Sequence, residues 1–251
     1  MFHDNTALVT GAAGGIGAAV VRALVEQGVS VAAVDVTPDG LAKLGHELVT
    51  PFVADVTDGA AVTALVAEVE DRLGPIGALV NAAGVLRTGR AHLLTDEDWA
   101  TTFAVNTTGV FHTCRAVAAR MIARRGGSIV TVASNAAGIA RMDMAAYAAS
   151  KAAATSFTRC LGLELAEHGI RCNVVAPGST HTPMLTGLWD EGDAVRASVE
   201  GVPSAFRTGI PLGRVAQPSD VADAVLYVLS DRASHITMQT LTVDGGAALG
   251  A

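Results

Sequence analysis

Short runs in which nearly every residue is apolar, mostly Val, Ala and Leu, alternate along the chain with longer stretches in which apolar residues recur every three or four positions. The first kind predicts strands near 6–10, 30–35, 50–54, 78–81, 128–133, 171–176 and 239–243, and the second predicts helices between most of them. Strands that lack a polar face suit a parallel sheet covered on both sides, so the expected class is α/β. No linker, low-complexity tract or fixed-period repeat breaks the alternation, which makes 1–251 one domain. The clear exception is 179–213, rich in Gly, Pro, Thr and charge, between the sixth strand and a helix beginning near Ser219. It leaves the carboxyl end of a strand, where open α/β sheets bind ligands, and is expected to be a substrate lid. Met184, Leu188, Trp189 and Phe206 are the lid side chains expected to close over a flat ring and exclude water.

Composition narrows the class. Half of the 251 residues are hydrophobic, enough for a sizeable core, yet no run approaches the ~18 apolar residues of a membrane span. The opening MFHDNTALV has no basic n-region and the glycine-rich loop begins at Gly11, so a cytoplasmic protein is expected. A formal charge of −7 opposes nucleic acid and anionic lipid, and an anionic substrate would need local Arg residues. Cys114, Cys160 and Cys172 are odd in number and lie in apolar patterns, which predicts buried thiols. The seven His show no ligand spacing, so no metal is expected.

Thr10-Gly-Ala-Ala-Gly-Gly-Ile-Gly17 follows the first strand and opens a helix, the context that gives a glycine motif meaning. Gly11 permits the tight turn, Gly15 lets backbone N–H groups beside Ile16 approach a pyrophosphate, and Gly17 allows helix and strand to pack closely. Asp35 ends the second strand, eighteen residues after Gly17, where a carboxylate accepts hydrogen bonds from an adenosine ribose and repels a 2′-phosphate. No Lys or Arg stands at Val36 or Ala13 to hold that phosphate, so NAD is expected rather than NADP. Asp55, followed by Val56 after the third strand, is placed either to cap the next helix or to contact the adenine amino group.

Tyr147-Ala-Ala-Ser-Lys151 carries the reactive chemistry, with Ser134 thirteen residues upstream. Residues four apart share a helix face, so Tyr147 and Lys151 would lie side by side. A cation about 5 Å from a phenol, at an effective dielectric of ~20, contributes roughly 3 kcal/mol, or about 2 pK units. The phenol would then serve as a general base. Only two Tyr and two Lys occur against fifteen Arg, which makes the pairing conspicuous.

These residues, with Asn81-Ala-Ala-Gly84, Asn106 and Pro177-Gly178, resemble the short-chain dehydrogenase/reductase family over nearly the whole chain. The resemblance implies a doubly wound Rossmann fold of seven parallel strands with helices on both faces, NAD as cofactor, a homotetramer, and a catalytic tetrad of Asn106, Ser134, Tyr147 and Lys151. Ser134 would hold the substrate oxygen, Tyr147 remove its proton, Lys151 depress the phenol pKa and bind the nicotinamide ribose, and Asn106 hold a water that relays the proton. Asn81, Ala83, Gly84, Pro177, Gly178, Thr180 and Thr182 would complete the cofactor site. A closer resemblance in LVNAAGVLRTG, GLELAEHGIRCNVVAPGST and ASHITMQTLTVDGGAALGA implies oxidation of a cyclohexadiene trans-diol carboxylate to a catechol acid, as in siderophore biosynthesis. Arg141, between Ser134 and Tyr147, is the first candidate to bind that carboxylate and Arg87 the second, while Met184 and Trp189 of the lid complete the expected substrate-binding set. His181 and Pro183 stand where the family typically has acids, and Asn135 stands where Asp is found, so a 2-amino ring substituent stays open. A generic alcohol or 3-oxoacyl reductase, and a dinucleotide-binding scaffold without turnover, are the remaining alternatives.

Overall fold

In a computed structural model, which describes residues 6–187 and 191–250, the uniformly apolar runs form one parallel sheet. In chain order the strands are β1 (Thr6–Thr10), β2 (Val31–Asp35), β3 (Val49–Val53), β4 (Ile76–Asn81), β5 (Gly127–Val132), β6 (Ile170–Pro177) and β7 (Thr240–Val243). The helices are α1 (Gly15–Glu26), α2 (Pro38–Ala42), α3 (Gly59–Leu73), α4 (Asp96–Phe103), α5 (Val110–Arg124), α6 (Ala145–Leu165), α7 (Pro183–Thr186), α8 (Glu191–Glu200) and α9 (Pro218–Leu229). The sheet order is β3-β2-β1-β4-β5-β6-β7, which reverses direction between β1 and β4 and opens a crevice above their carboxyl ends. Register there pairs Thr10 with Asn81 and Asn81 with Thr131, bringing the glycine loop level with the end of β5.

Both faces of the sheet are buried, which is why its strands need no polar face. On one side Val9, Val31 and Val80 pack with Val20, Leu24, Val221 and Val225 of α1 and α9. On the other, Leu8, Leu79 and Ile129 pack with Val66, Val117, Met121 and Ala154 of α3, α5 and α6. Cys114 and Cys172 lie in this second core, where burial pushes the Cys114 thiol up to about 12. Cys160 departs from the expectation: it sits on the exposed face of α6.

The segment 179–213 is more regular than its composition suggests. It contains α7, α8 and a short turn of 3₁₀ helix at Pro203–Ala205. The reason is a narrow apolar stripe: Ala194, Val195, Ser198 and Val199 of α8 sit four apart and face Ile210, Val215 and Ala247, a small core of their own. Among the described residues no helix is long and apolar enough to cross a membrane.

Candidate active site

The glycine loop folds as a cradle. Gly11 has φ +64°, and a Cβ there would meet the Ala83 backbone at 2.6 Å, so the loop and the end of β4 touch through main chain alone. A Cβ on Gly15 would strike the Thr182 side chain, and one on Gly17 the Gly11 carbonyl. The first turn of α1 has no side-chain cap, which leaves its N–H groups directed at the crevice. Asp35 accepts from Ala13 N and from Thr37 N, each at 3.0 Å. Its carboxylate is thereby fixed at the mouth of the cradle, with lone pairs still available for two ribose hydroxyls. These features fit a dinucleotide.

Asp55 does not cap the next helix: it accepts from Thr57 N at 2.8 Å, and Asp58 caps α3 by accepting from Ala60 and Ala61 N. Val56 is buried, and its carbonyl meets His112 Nδ1 at 3.0 Å. Asn81 faces inward. It accepts from Thr113 Oγ1 at 2.6 Å and donates to Cys114 Sγ at 3.2 Å, so its side chain ties β4 to α5 and is not presented to a cofactor.

Asn106 occupies a π-helical turn, Ala104–Gly109, where one extra residue interrupts the helix that runs from α4 into α5. Its amide accepts from Val85 N at 2.9 Å and donates to Val85 O at 2.9 Å and to Ser150 Oγ at 3.0 Å. The side chain thus clamps the strand-end loop to α6. Both of its side-chain N–H groups are thereby engaged.

Tyr147 and Lys151 lie one turn apart on α6, both buried. Burial raises the phenol pKa, and the Ser134 hydroxyl beside it lowers it. Lys151 Nζ donates to Val132 O at 3.0 Å and sits 5.9 Å from the centre of the Tyr147 ring. Burial lowers its own pKa to about 8. The ammonium lies below a Cβ position on Gly84, at 3.2 Å, so only glycine there leaves a path above Lys151.

Ser134, Tyr147, Ile16, Pro177, Gly178, Thr180 and Thr182 line one cavity of about 470 Å³ at the carboxyl ends of the strands. Segment 179–213 adds Met184, Leu185, Ser198 and Arg207 to its lining, and the stretch after β5 adds Asn135 and Arg141. Arg141 is half-buried, and burial lowers its pKa while nearby Asp244 raises it. Two candidates fall outside. Arg87 is exposed and faces Asp98 of α4 at 3.8 Å, and Phe206 is 91% exposed, turned to solvent. Leu188 and Trp189 lie outside the described residues. The cavity's second cation, Arg207, has no sequence signal: it stands in a Pro/Gly-rich segment with no periodicity or motif around it.

A family model described as enoyl-(acyl carrier protein) reductase matches residues 11–248. The chain belongs to the short-chain dehydrogenase/reductase family. It is 54% identical to the 2,3-dihydro-2,3-dihydroxybenzoate dehydrogenase of Bacillus subtilis (strain 168), covering 99% of this chain and 97% of that one. It is 44% identical to the enzyme of the same name from Escherichia coli (strain K12), covering 100% and 99%. Among solved structures, levodione reductase superposes with a TM-score of 0.91 at 28% identity, covering 100% of both chains. The 3-ketoacyl-(acyl-carrier-protein) reductase of Brucella melitensis, complexed with NADH, superposes with a TM-score of 0.88 at 29% identity, covering 99% and 100%. This short-chain dehydrogenase/reductase is therefore an oxidoreductase.

Proposed function

We propose that this short-chain dehydrogenase/reductase oxidises 2,3-dihydro-2,3-dihydroxybenzoate at its C3 hydroxyl, with NAD⁺ as acceptor, to give 2,3-dihydroxybenzoate. The observation that carries the reading is one cavity holding the Ser134–Tyr147 pair and a guanidinium, Arg141, in a chain 54% identical end to end to a dehydrogenase of that name.

Each group has a task that its position supports. Gly11, Gly15, Ile16 and Gly17, with the open first turn of α1, hold the pyrophosphate, and Asp35 takes the adenosine ribose and disfavours a 2′-phosphate. Ala83, Gly84, Pro177, Gly178, Thr180 and Thr182 border the nicotinamide end. Bound NAD⁺ supplies the hydride acceptor for the C3 hydrogen. Ser134 holds the C3 oxygen, and Tyr147 takes the hydroxyl proton as the carbonyl forms. Because burial raises the Tyr147 pKa, the phenolate needs positive charge close by, which Lys151 provides as it leaves the Val132 carbonyl for the ribose hydroxyls. Asn106 acts as a positioning residue that holds α6 against the loop carrying Gly84 and Val85. The dienone then loses its C2 proton and aromatises, which drives the sequence toward NADH.

The reading also carries a homotetramer in the cytoplasm, supported by exposed Trp99, Phe111 and Leu163 on the outer faces of α4, α5 and α6. Light scattering on the purified protein measures that assembly. The deciding experiment follows NADH release with the 2,3-dihydroxy and the 2-amino-3-hydroxy cyclohexadiene acids, each with NAD⁺ and NADP⁺. Turnover of the dihydroxy acid with NAD⁺ is expected, and turnover confined to the amino acid analogue or to NADP⁺ would overturn the assignment.

A further inference from the structure

Among the described residues of the lid, Arg207 alone carries charge into the cavity. The local backbone is built to put it there. Gly201 takes φ +83°, where a Cβ would meet the Arg207 carbonyl at 2.6 Å, and Val202 and Arg207 exchange two backbone hydrogen bonds of 2.9 and 3.1 Å. The turn between them ends at Phe206, whose positive φ of 50° turns that ring outward and the next side chain inward.

Among the described residues the guanidinium is anchored only by neutral groups. Its Nη2 donates to Ser179 Oγ at the end of β6, at 2.7 Å, and to Ser198 Oγ of α8, at 3.3 Å. Ser198 is itself 1% exposed. Nε and Nη1 have no partner among the described residues, and no carboxylate lies within ion-pair distance of either Arg207 or Arg141 there. Burial lowers the Arg207 pKa and the charge of Arg141 lowers it further, so the two cations face one cavity against their mutual repulsion. The acids nearby balance only part of this. Asp143, on the cavity wall, is paired with Arg90 at 3.1 Å, and Asp244 holds Asn135 Nδ2 at 3.1 Å while attracting Arg141. Among the described residues one positive charge remains without a counterion. Two half-buried guanidiniums with free donors are a site for a single carboxylate, which would complete both the hydrogen bonds and the charge.

We propose that Arg207 is a substrate-specificity residue that, together with Arg141, grips the carboxylate of the ring acid, so that the lid is drawn onto the substrate by the substrate's own charge. The proposal rests on the reading of the substrate as a diol carboxylate and adds the residue that selects acid over neutral diol. It also explains why Arg207 enters the cavity and the aromatic Phe206 beside it does not: a ring would stack equally on a neutral diol, whereas a guanidinium distinguishes the acid.

The test compares wild type, Arg207→Gln and Arg207→Lys on 2,3-dihydro-2,3-dihydroxybenzoate and on its methyl ester. In parallel, fluorescence titration of the NAD⁺-saturated enzymes measures affinity for 2,3-dihydroxybenzoate and for catechol. Gln keeps a donor for Ser179 and Ser198 without the charge, and Lys keeps the charge. Loss of a charge-assisted bond predicts a roughly 10- to 100-fold rise in KM for the acid, with the ester little changed. The same loss is expected for 2,3-dihydroxybenzoate but not for catechol, and Lys should restore part of each. Equal weakening of acid and ester, or of 2,3-dihydroxybenzoate and catechol, in a variant with native circular dichroism would overturn the role. Wild type that does not oxidise the acid would overturn the substrate reading instead, and the binding arm would still decide on Arg207.

Discussion

At the amino end of the central strands a depression of about 790 Å³ is walled by Val29, Ser128, Arg171, His235 and Thr237; at the carboxyl end lies the 470 Å³ cavity of Ser134, Tyr147 and Arg207. Size favours the first and chemistry the second. At the amino end both terminal nitrogens of Arg171 are engaged: Nη1 donates to Val228 O at 2.6 Å and Nη2 to Leu229 O and Ser230 O at 2.7 and 3.1 Å. It caps the carbonyls at the end of α9 and is used up by the fold. At the carboxyl end, among the described residues, Arg207 has unpartnered donors, Arg141 has no direct carboxylate, Tyr147 is buried beside Ser134, and Lys151 holds only a carbonyl. A functional site is marked by polar capacity that the fold has not already consumed. Parallel strands produce this asymmetry, because their carboxyl ends meet helix N-termini and the loops free to vary.

The largest expected break in the comparison is Tyr147→Phe. Removing the base should reduce turnover by at least ~10²–10⁴-fold while NAD binding persists, measured by NADH release and by equilibrium titration. Lys151→Met should reduce turnover as well, but stabilise the free protein. Lys151 titrates at about 8 in the fold and at 10.5 in the unfolded chain. Below pH 8 both states carry the charge and the fold bears the whole desolvation penalty. From 8 to 10.5 the unfolded chain alone holds the proton, so stability rises with pH. The variant's gain, up to roughly 3 kcal/mol less about 1 for the orphaned Val132 carbonyl, should be greatest below pH 8 and fade toward 10.5 in thermal melts.

At the opposite end the signs reverse. Arg171→Met should lower stability by about 2–3 kcal/mol in urea unfolding, since three carbonyls lose a charged donor, and leave kcat/KM unchanged. A loss of activity there would mean that the amino-end depression is not merely structural. The smallest effect concerns Ser128, whose Oγ is the buried side-chain atom left without a partner among the described residues. Ser128→Ala should raise the thermal midpoint slightly, by up to about 1 kcal/mol in stability, because it removes an unpaired hydroxyl.

The strands, the glycine loop, Asp35 and the Tyr147–Lys151 spacing were legible in the sequence because each is a local pattern. Apolar runs need only neighbours in the chain to become strands, a glycine loop must be continuous to wrap a phosphate, and four residues set a helix face. Segment 179–213 was legible as a break in the alternation of strands and helices but not as a carrier of α8. The apolar stripe of that helix is too short to stand out, and it becomes meaningful only against Ile210, Val215 and Ala247.

Side-chain direction was decided by the tertiary structure. Asn81 and Asn106 carry the amides that the motif suggests, yet partners 21 to 50 positions away turn both into internal ties. Arg87 and Phe206 have suitable chemistry but face solvent, whereas Arg207, one residue beyond Phe206, faces the cavity because a positive φ reverses the turn. Lys151 sits where the sequence puts it, but the Val132 carbonyl, nineteen residues away, holds its ammonium. Sequence by itself determined which chemistry this protein carries and in what order along the fold. Only the long-range packing that buries one polar group and leaves its neighbour unpaired decided which of those groups are free to act.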